Sequence, residues 1–207
     1  MIVSKVNQAL PLKLGGSRNG LDERFFSYQR QFIPTSEALG LAQLLWKELA
    51  WVQYELTMFG RRMAQPRLSA WYGDAAARYR YSGLDLTPLN WHPQLRQLRD
   101  QLEDYLEEPF NSVLANAYRD GNDSMGWHSD NEKELGEQPL VASISLGVER
   151  KFLVRQVNQR VSTGIWLESG SLLVMKRGCQ QAYQHSLPKT RTVNGIRINL
   201  TFRTIMY

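Results

Sequence analysis

Two stretches of the chain place apolar residues at helical spacing. The first follows Pro34, where Thr35 or Ser36 is available as a helix cap. Its apolar positions are Leu41, Leu44, Leu45, Leu49 and Val52. The second begins at Pro93 and ends before Pro109, with charged residues on its other face. Its apolar positions are Leu95, Leu98, Leu102, Tyr105 and Leu106. We predict two amphipathic helices, each packed against a sheet.

From residue 112 onward the pattern changes to short alternating or wholly apolar runs. Gly, Asn and Pro separate these runs, as is typical of β-strands and their turns. The runs cover residues 113–118, 140–146, 151–157, 165–167, 171–175 and 196–205. One further strand is predicted upstream, over residues 66–73. Strands that follow two helices predict an α+β domain, in which an antiparallel sandwich or jelly roll is backed by the helices.

The last run has one polar face and one apolar face. Its polar positions are Arg197, Asn199, Thr201 and Arg203. Since the apolar face must meet the helices, the polar face turns inward, where an unpaired guanidinium is costly. We therefore expect a dicarboxylate, held by Arg197 or Arg203 at one end and by a metal at the other. Upstream, Asn116 and Tyr118 also stand two apart and can add neutral hydrogen bonds to that ligand.

The segment that follows Tyr118 contains a His-x-Asp pair. In an extended backbone His128 and Asp130 face the same way, although such pairs are also common in surface loops. The chain has only three histidines, and His185 provides a third candidate ligand. Two imidazoles and one carboxylate form the non-haem Fe(II) oxygenase arrangement. Zinc favours cysteine ligands or a closed shell, and here the single Cys179 has no cysteine partner.

The composition is that of a globular protein. The chain has 207 residues, of which 43% are hydrophobic and 22% charged, enough for one domain with a core and a concave site. No apolar run approaches the roughly 18 residues that cross a bilayer, and the N-terminus shows no signal-peptide pattern. One cysteine allows no internal disulfide, so we expect a soluble cytoplasmic protein. The net charge of +5 favours a polyanionic partner such as nucleic acid.

The segment between the two helices is rich in aromatic residues and arginines. Met58 and Phe59 are followed by a glycine and two arginines. This pattern suits an apolar wedge in a base stack with cations on the backbone, or a hairpin in which Phe59 packs on the core. Tyr79 and Tyr81 alternate with arginines, which suits base stacking, or a tyrosine-rich strand packed on its neighbours.

Together these motifs resemble the AlkB family of iron- and 2-oxoglutarate-dependent nucleic-acid dealkylases. The motifs are Asn-x-Tyr-x-x-Gly-x-Asp from Asn116, His-x-Asp from His128, His-Ser-Leu-Pro from His185 and Arg-x-Asn-x-Thr-Phe-Arg from Arg197. Upstream, Phe59-Gly60, Pro66-Arg67, Tyr72-Gly73-Asp74 and Tyr79-x-Tyr-Ser-Gly are similar to the branch that repairs duplex DNA. The resemblance covers about residues 32–207.

The resemblance implies a fold and a domain organisation. The fold would be a double-stranded β-helix, or jelly roll, backed by helices and carrying an N-terminal nucleotide-recognition lid. Residues 32–207 would form one dioxygenase domain, with the lid at about 57–91 and the jelly-roll core at 112–207. Residues 1–31 carry few periodic signals and would form an N-terminal arm.

The resemblance also implies roles for individual residues. Fe(II) would be bound by His128, Asp130 and His185. The cosubstrate 2-oxoglutarate would be bound by Asn116, Tyr118, Arg197, Asn199 and Arg203, of which Arg203 would also take part in catalysis. The nucleic acid would be contacted by Phe59, Arg61, Arg67, Tyr79, Tyr81, Ser82 and Glu132. One departure from the branch is Asn131, which stands where a second acidic residue is expected and bears on the preference among lesions.

The implied activity is repair of 1-methyladenine and 3-methylcytosine in duplex and single-stranded DNA by oxidative dealkylation. It would use Fe(II), O2 and 2-oxoglutarate and release formaldehyde, succinate and CO2. We expect a monomer without a membrane partner. Two alternatives stay open: the same chemistry on RNA, protein or lipid, and a nucleic-acid-binding module without catalysis, against which the complete ligand triad argues.

Overall fold

The computed structural model describes residues 20–58, 61–77, 79–81 and 84–206, with side chains outside 56–58, 61, 79–81 and 84–86. The strands are β1 (Phe26–Gln29), β2 (Glu55–Met58), β3 (Arg61–Ala64), β4 (Leu68–Gly73), β5 (Tyr79–Tyr81), β6 (Leu84–Leu86), β7 (Ser112–Tyr118), β8 (Met125–His128), β9 (Val141–Gly147), β10 (Arg150–Gln156), β11 (Thr163–Leu167), β12 (Ser171–Met175), β13 (Tyr183–Leu187) and β14 (Arg197–Arg203). The helices are α1 (Thr35–Glu48), α2 (Pro93–Leu106) and the short α3 (Cys179–Ala182), and a 3-10 turn covers Lys133–Leu135.

Two antiparallel sheets form the core of the fold. The larger sheet has the strand order β1-β12-β9-β14-β7-β4, and the smaller has the order β11-β10-β13-β8. Side chains from both sheets line one cavity, so the sheets face each other across it. This arrangement is the predicted double-stranded β-helix, and the α+β fold class is confirmed.

Helices α1 and α2 supply apolar side chains to the core on one face of the larger sheet. Leu45 of α1 and Leu95 of α2 are fully buried in the same cluster as Ile198, Leu200 and Phe202 of β14. Burial of each such side chain stabilises the fold by about 1.5 to 3 kcal/mol. The polar residues that alternate with them on β14 line the cavity, so the predicted two faces of this strand are confirmed. No helix in the described part of the chain is long and apolar enough to span a bilayer.

The ends of α1 differ from the prediction. Pro34 is the N-cap residue, and neither Thr35 nor Ser36 caps the helix with its side chain. The backbone leaves the helix at Leu49, which is extended, so the apolar residue three positions later does not continue it. Val52 instead forms an isolated bridge with Ser69 and is largely exposed. The prediction for α2 is confirmed, from Pro93 to the left-handed backbone at Glu107.

Strand β1 corrects the boundary of the predicted N-terminal arm. It lies within residues 1–31 and pairs with β12 at the edge of the larger sheet. Phe26 is buried, together with Leu21, in a second apolar cluster. A strand of four residues is too short for its alternation of buried and exposed residues to be recognised in the sequence. The described part of this segment therefore belongs to the domain.

The range predicted as a lid contains elements of two kinds. Strands β2 and β3 form one hairpin and β5 and β6 another, and neither hairpin pairs with the two main sheets in the described residues. Strand β4 pairs with β7 and is part of the larger sheet. Met58 ends β2 and pairs with Arg61 of β3, so it lies in a hairpin.

Candidate functional site

Three predicted metal ligands lie together at the cavity wall. His128 ends β8 and pairs in register with His185 of β13, and Asp130 follows two residues after the first histidine. One ligand atom from each residue lies within 4.8 Å of the other two. The Nε2 atom of His128 is 3.7 Å from Oδ1 of Asp130, and the two imidazole ring centres are 4.2 Å apart. The structure thus brings the predicted triad together.

The protonation of these side chains suits a divalent cation. Burial and the neighbouring His128 lower the pKa of His185 to about 3, so this imidazole is neutral near pH 7. The Nδ1 atom of His128 lies 2.9 Å from the carbonyl oxygen of Gly126. When Nδ1 donates its proton to that oxygen, Nε2 keeps a lone pair for the cation. Both imidazoles can therefore act as ligands.

The carboxylate of Asp130 completes the donor set. Burial raises the pKa of Asp130, but Arg203 and the two neighbouring histidines together outweigh burial, so the pKa is lowered overall. The NH2 atom of Arg203 is 2.9 Å from Oδ2. Two imidazoles and an ionised carboxylate are the donors that non-haem Fe(II) sites use, and they fit that ion.

Arg197 is a buried arginine whose surroundings suit the binding of an anion. Its side chain is 2% exposed. It donates to Oγ of Ser145 at 2.9 Å and to Oδ1 of Asn199 at 2.8 Å, and its guanidinium carbon lies 5.4 Å from the ring centre of Tyr118. Its Nε is buried without a hydrogen-bond partner among the described residues. Burial lowers the pKa of Arg197 to about 10, which still leaves it charged near pH 7. A buried charged donor without a partner fits a carboxylate.

The two predicted asparagines already accept hydrogen bonds from protein groups. Oδ1 of Asn116 accepts from Oγ of Ser69 at 2.7 Å and from Nε of Arg67 at 3.3 Å. Oδ1 of Asn199 accepts from Oγ of Ser143 at 3.0 Å and from Arg197. Both carboxamides are therefore oriented by the protein, and what they can offer a ligand is an N–H donor.

Glu132 provides a second polar atom that lacks a partner. Its Oε2 is buried at the cavity and makes no hydrogen bond in the described part of the chain. A buried carboxylate oxygen favours a cationic ligand or a strong donor. Asn131 is exposed and does not line the cavity.

All of the predicted site residues with described side chains line one cavity of about 260 Å³. These residues are Arg67, Asn116, Tyr118, His128, Asp130, Glu132, His185, Arg197, Asn199 and Arg203. Phe59 and Ser82 lie outside the described residues. Arg61 lies on β3, and Tyr79 and Tyr81 lie on β5, but their side chains are outside the described ones. The proposed contacts of these five residues with nucleic acid stay predictions.

The sequence analysis missed several residues around this cavity. Phe152 stacks on His185 with ring centres 5.4 Å apart, and Tyr54, Gln65 and Trp71 also line the cavity. Phe152 lies in a predicted strand, so its alternation could have placed it on the inner face. Gln65 and Tyr54 had no such signal, because they lie next to short hairpin strands.

Arg150 is a structural residue that the sequence did not reveal. It is 1% exposed, and its guanidinium donates to the carbonyl oxygens of Asp120 at 2.9 Å, Asp123 at 3.0 Å and Pro188 at 2.8 Å. It thus joins the loop before β8 to the loop after β13. These two strands carry His128 and His185, so Arg150 holds together the loops that frame the triad.

The loop before β8 explains two further motif residues. The carboxylate of Asp123 accepts from the backbone N–H and the guanidinium of Arg119, at 2.8 to 2.9 Å. A Cβ at Gly121 would lie 2.1 Å from the carbonyl oxygen of Thr190. Only glycine fits there, so both motif residues shape the loop rather than contact a ligand.

Comparison with known proteins identifies similar sequences. The profile of the 2OG-Fe(II) oxygenase superfamily matches residues 25–203. Alpha-ketoglutarate-dependent dioxygenase alkB homolog 3 from Homo sapiens is 37% identical over 184 residues, which cover 84% of this chain and 64% of that protein. DNA oxidative demethylase ALKBH2 from Homo sapiens is 37% identical over 182 residues, which cover 83% of this chain and 70% of that protein. The matched part thus spans slightly less than two thirds of the first relative.

A solved structure supports the fold independently of close sequence similarity. The structure of OsALKBH1 superposes with a TM-score of 0.63 at 17% identity, and the match covers 86% of this chain and 97% of that chain. At this identity the likeness concerns the fold, which is the double-stranded β-helix described above.

Proposed function

Because this chain belongs to the 2OG-Fe(II) oxygenase superfamily and, within it, to the AlkB family, we propose that it dealkylates N-alkylated bases in DNA by oxidation. The substrates would include 1-methyladenine and 3-methylcytosine. One observation carries the proposal: the His128, Asp130 and His185 triad lines the same cavity as Arg197, whose buried Nε has no hydrogen-bond partner in the described part of the chain.

The metal triad and Arg197 would each bind one of the two cofactors. His128, Asp130 and His185 would hold Fe(II) from one side and leave other coordination positions open. Arg197 would bind the carboxylate of 2-oxoglutarate farthest from the metal, because its hydrogen bonds go to the neutral Ser145 and Asn199 and its buried Nε has no partner among the described residues. Arg203 is already paired with Asp130, so it would steady the metal carboxylate rather than provide the main anion site.

When bound, Fe(II), O2 and 2-oxoglutarate supply the oxidising chemistry that hydroxylates an N-alkyl carbon, with release of succinate and CO2. The chain's own residues would bind and orient these groups and shield them from water. The larger sheet covers the cavity on one side and Phe152 packs against His185 on the other, and these walls would limit the access of bulk water to the reacting groups. A hydroxylated N-methyl group then leaves as formaldehyde and restores the base.

Glu132 supports a cationic lesion as substrate. Methylation at N1 of adenine or N3 of cytosine gives the base a positive charge beside an exocyclic amino group. The buried Oε2 of Glu132 would accept a hydrogen bond from that amino group, and its charge would favour the cation. A lesion in a duplex would first have to flip out of the stack, which is least costly where methylation has already disrupted pairing.

Formaldehyde release tests the proposal. The purified chain with Fe(II), O2 and 2-oxoglutarate would be given 3-methylcytosine or 1-methyladenine in duplex DNA, in single-stranded DNA and in RNA. We expect formaldehyde and succinate in equal amounts with at least one DNA substrate. Release from RNA alone would assign the same chemistry to RNA. Succinate without formaldehyde from any nucleic acid would point to another substrate class, and no succinate at all would point to a binding module.

A further inference from the structure

Asp130 lies where the backbone has no strand to support it. Strand β8 ends at His128, and the next regular element begins at Lys133. The backbone N–H of Asp130 therefore has no ladder partner. A buried N–H without an acceptor is costly, and the orientation of this peptide also sets the direction of the carboxylate.

The side chain of Gln180 supplies the missing acceptor. Its Oε1 accepts from the backbone N–H of Asp130 at 2.9 Å. Gln180 is itself 2% exposed, and its Nε2 donates at 3.5 Å to Sδ of Met175, a weak acceptor. The hydrogen bond to Asp130 is thus the main polar contact of this buried carboxamide.

Gln180 lies on the same segment of the chain as the third metal ligand. It lies on α3, in the connection between β12 and β13, and His185 follows five residues later. A second bond runs between the same two segments, because Oγ of Ser129 donates to the carbonyl oxygen of Tyr183 at 2.9 Å. The segment that holds His128 and Asp130 is therefore tied to the segment that holds His185.

We infer that Gln180 is a positioning residue for the metal site: its carboxamide oxygen holds Asp130 in the orientation in which the triad binds Fe(II). This inference rests on the proposed function, since it assumes that the triad binds a divalent metal. Gln180 provides the hydrogen-bond acceptor that a neighbouring strand would otherwise provide. It lies on α3, the helix that precedes the strand of His185. Outer-shell contacts of this kind typically change metal affinity about 10- to 100-fold.

Metal affinity tests the inference without any turnover. Mn(II) would be titrated into the full chain with excess 2-oxoglutarate, and unbound Mn(II) would be followed by electron paramagnetic resonance. Gln180→Met keeps the side-chain length and removes the acceptor, so its Mn(II) Kd should rise at least about tenfold. Gln180→Glu keeps an acceptor at the same reach and should stay within about threefold of the parent chain. Gln181→Met changes an exposed glutamine of the same helix and should leave the Kd unchanged.

The melting temperature without metal separates positioning from packing. A Gln180→Met variant that melts lower but keeps the parent Kd would overturn the inference, and so would equal losses in Gln180→Met and Gln180→Glu. If Gln180→Met does not fold, Gln180→Asn carries the test, because it withdraws the acceptor by one methylene and should also weaken Mn(II) binding. Absence of Mn(II) binding by the parent chain would instead contradict the proposed metal site.

Discussion

The same substitution at two fully buried arginines of this protein should lower stability in one case and ligand binding in the other. Arg150 donates to three backbone carbonyl oxygens, whereas Nε of Arg197 has no partner in the described part of the chain. Substitution by methionine retains much of the volume and removes the charge in both cases. We expect Arg150→Met to damage the fold and Arg197→Met to damage the binding of 2-oxoglutarate.

The expected magnitudes follow from the bonds that each arginine makes. Arg150→Met leaves three acceptors without their donor, at about 1 kcal/mol each or somewhat more, so the free energy of unfolding should fall by about 3 to 5 kcal/mol. In a domain of this size that is a loss of roughly 6 to 20 °C in Tm. Arg197→Met removes a desolvated charge, which is neutral or slightly stabilising without the cofactor. It also removes the fork for a carboxylate, about 3 to 5 kcal/mol, so the 2-oxoglutarate Kd should rise by at least about a hundredfold.

Calorimetric titration of 2-oxoglutarate into the Mn(II)-loaded protein gives the Kd, and thermal melting without metal or cofactor gives the stability. The measurements should be made below the Tm of the weaker variant. An unchanged Kd in Arg197→Met would move the anion site to Arg203. A drop in Tm as large as that of Arg150→Met would show that Arg197 serves the fold rather than the binding of an anion.

Three other predictions concern the metal, the lesion and the duplex. Single alanine variants of the metal triad should lose Mn(II) binding and 2-oxoglutarate turnover with a Tm near that of the parent; normal turnover in any of them would exclude that residue as a ligand. The triad is His128, Asp130 and His185. Glu132→Gln should lower kcat/KM for cationic lesions roughly tenfold or more and leave the 2-oxoglutarate KM unchanged, because one buried charged hydrogen bond is weakened; equal kcat/KM would remove Glu132 from the lesion pocket. Phe59→Ala should lower activity on duplex DNA far more than on single strands, whereas Arg61→Ala and Arg62→Ala should weaken binding to both and flatten its salt dependence. An unchanged duplex to single-strand ratio with a lower Tm would make Phe59 a packing residue.

Local periodicity determined the parts of this protein that depend on one element at a time. The alternation of β14 predicted which face meets the helices and which lines the cavity, because side chains on a strand point to opposite sides in turn. The spacing of His128 and Asp130 predicted that these two ligand side chains face the same way. In the same way, the helical spacing that follows Pro93 predicted α2 from end to end. These features can be predicted without knowing which segments pack against the element.

Only the tertiary structure decided which partners the buried polar groups find. The sequence allowed either Arg197 or Arg203 to hold the dicarboxylate, and the fold distinguishes them because it pairs Arg203 with the carboxylate of Asp130, whereas Arg197 donates to the neutral side chains of Ser145 and Asn199. Gln180 and Arg150 gave no signal in the sequence, since their partners lie 50 and about 30 positions away along the chain. A hydrogen bond depends on where distant segments meet, and that is set by the packing of the two sheets rather than by the pattern within any one strand.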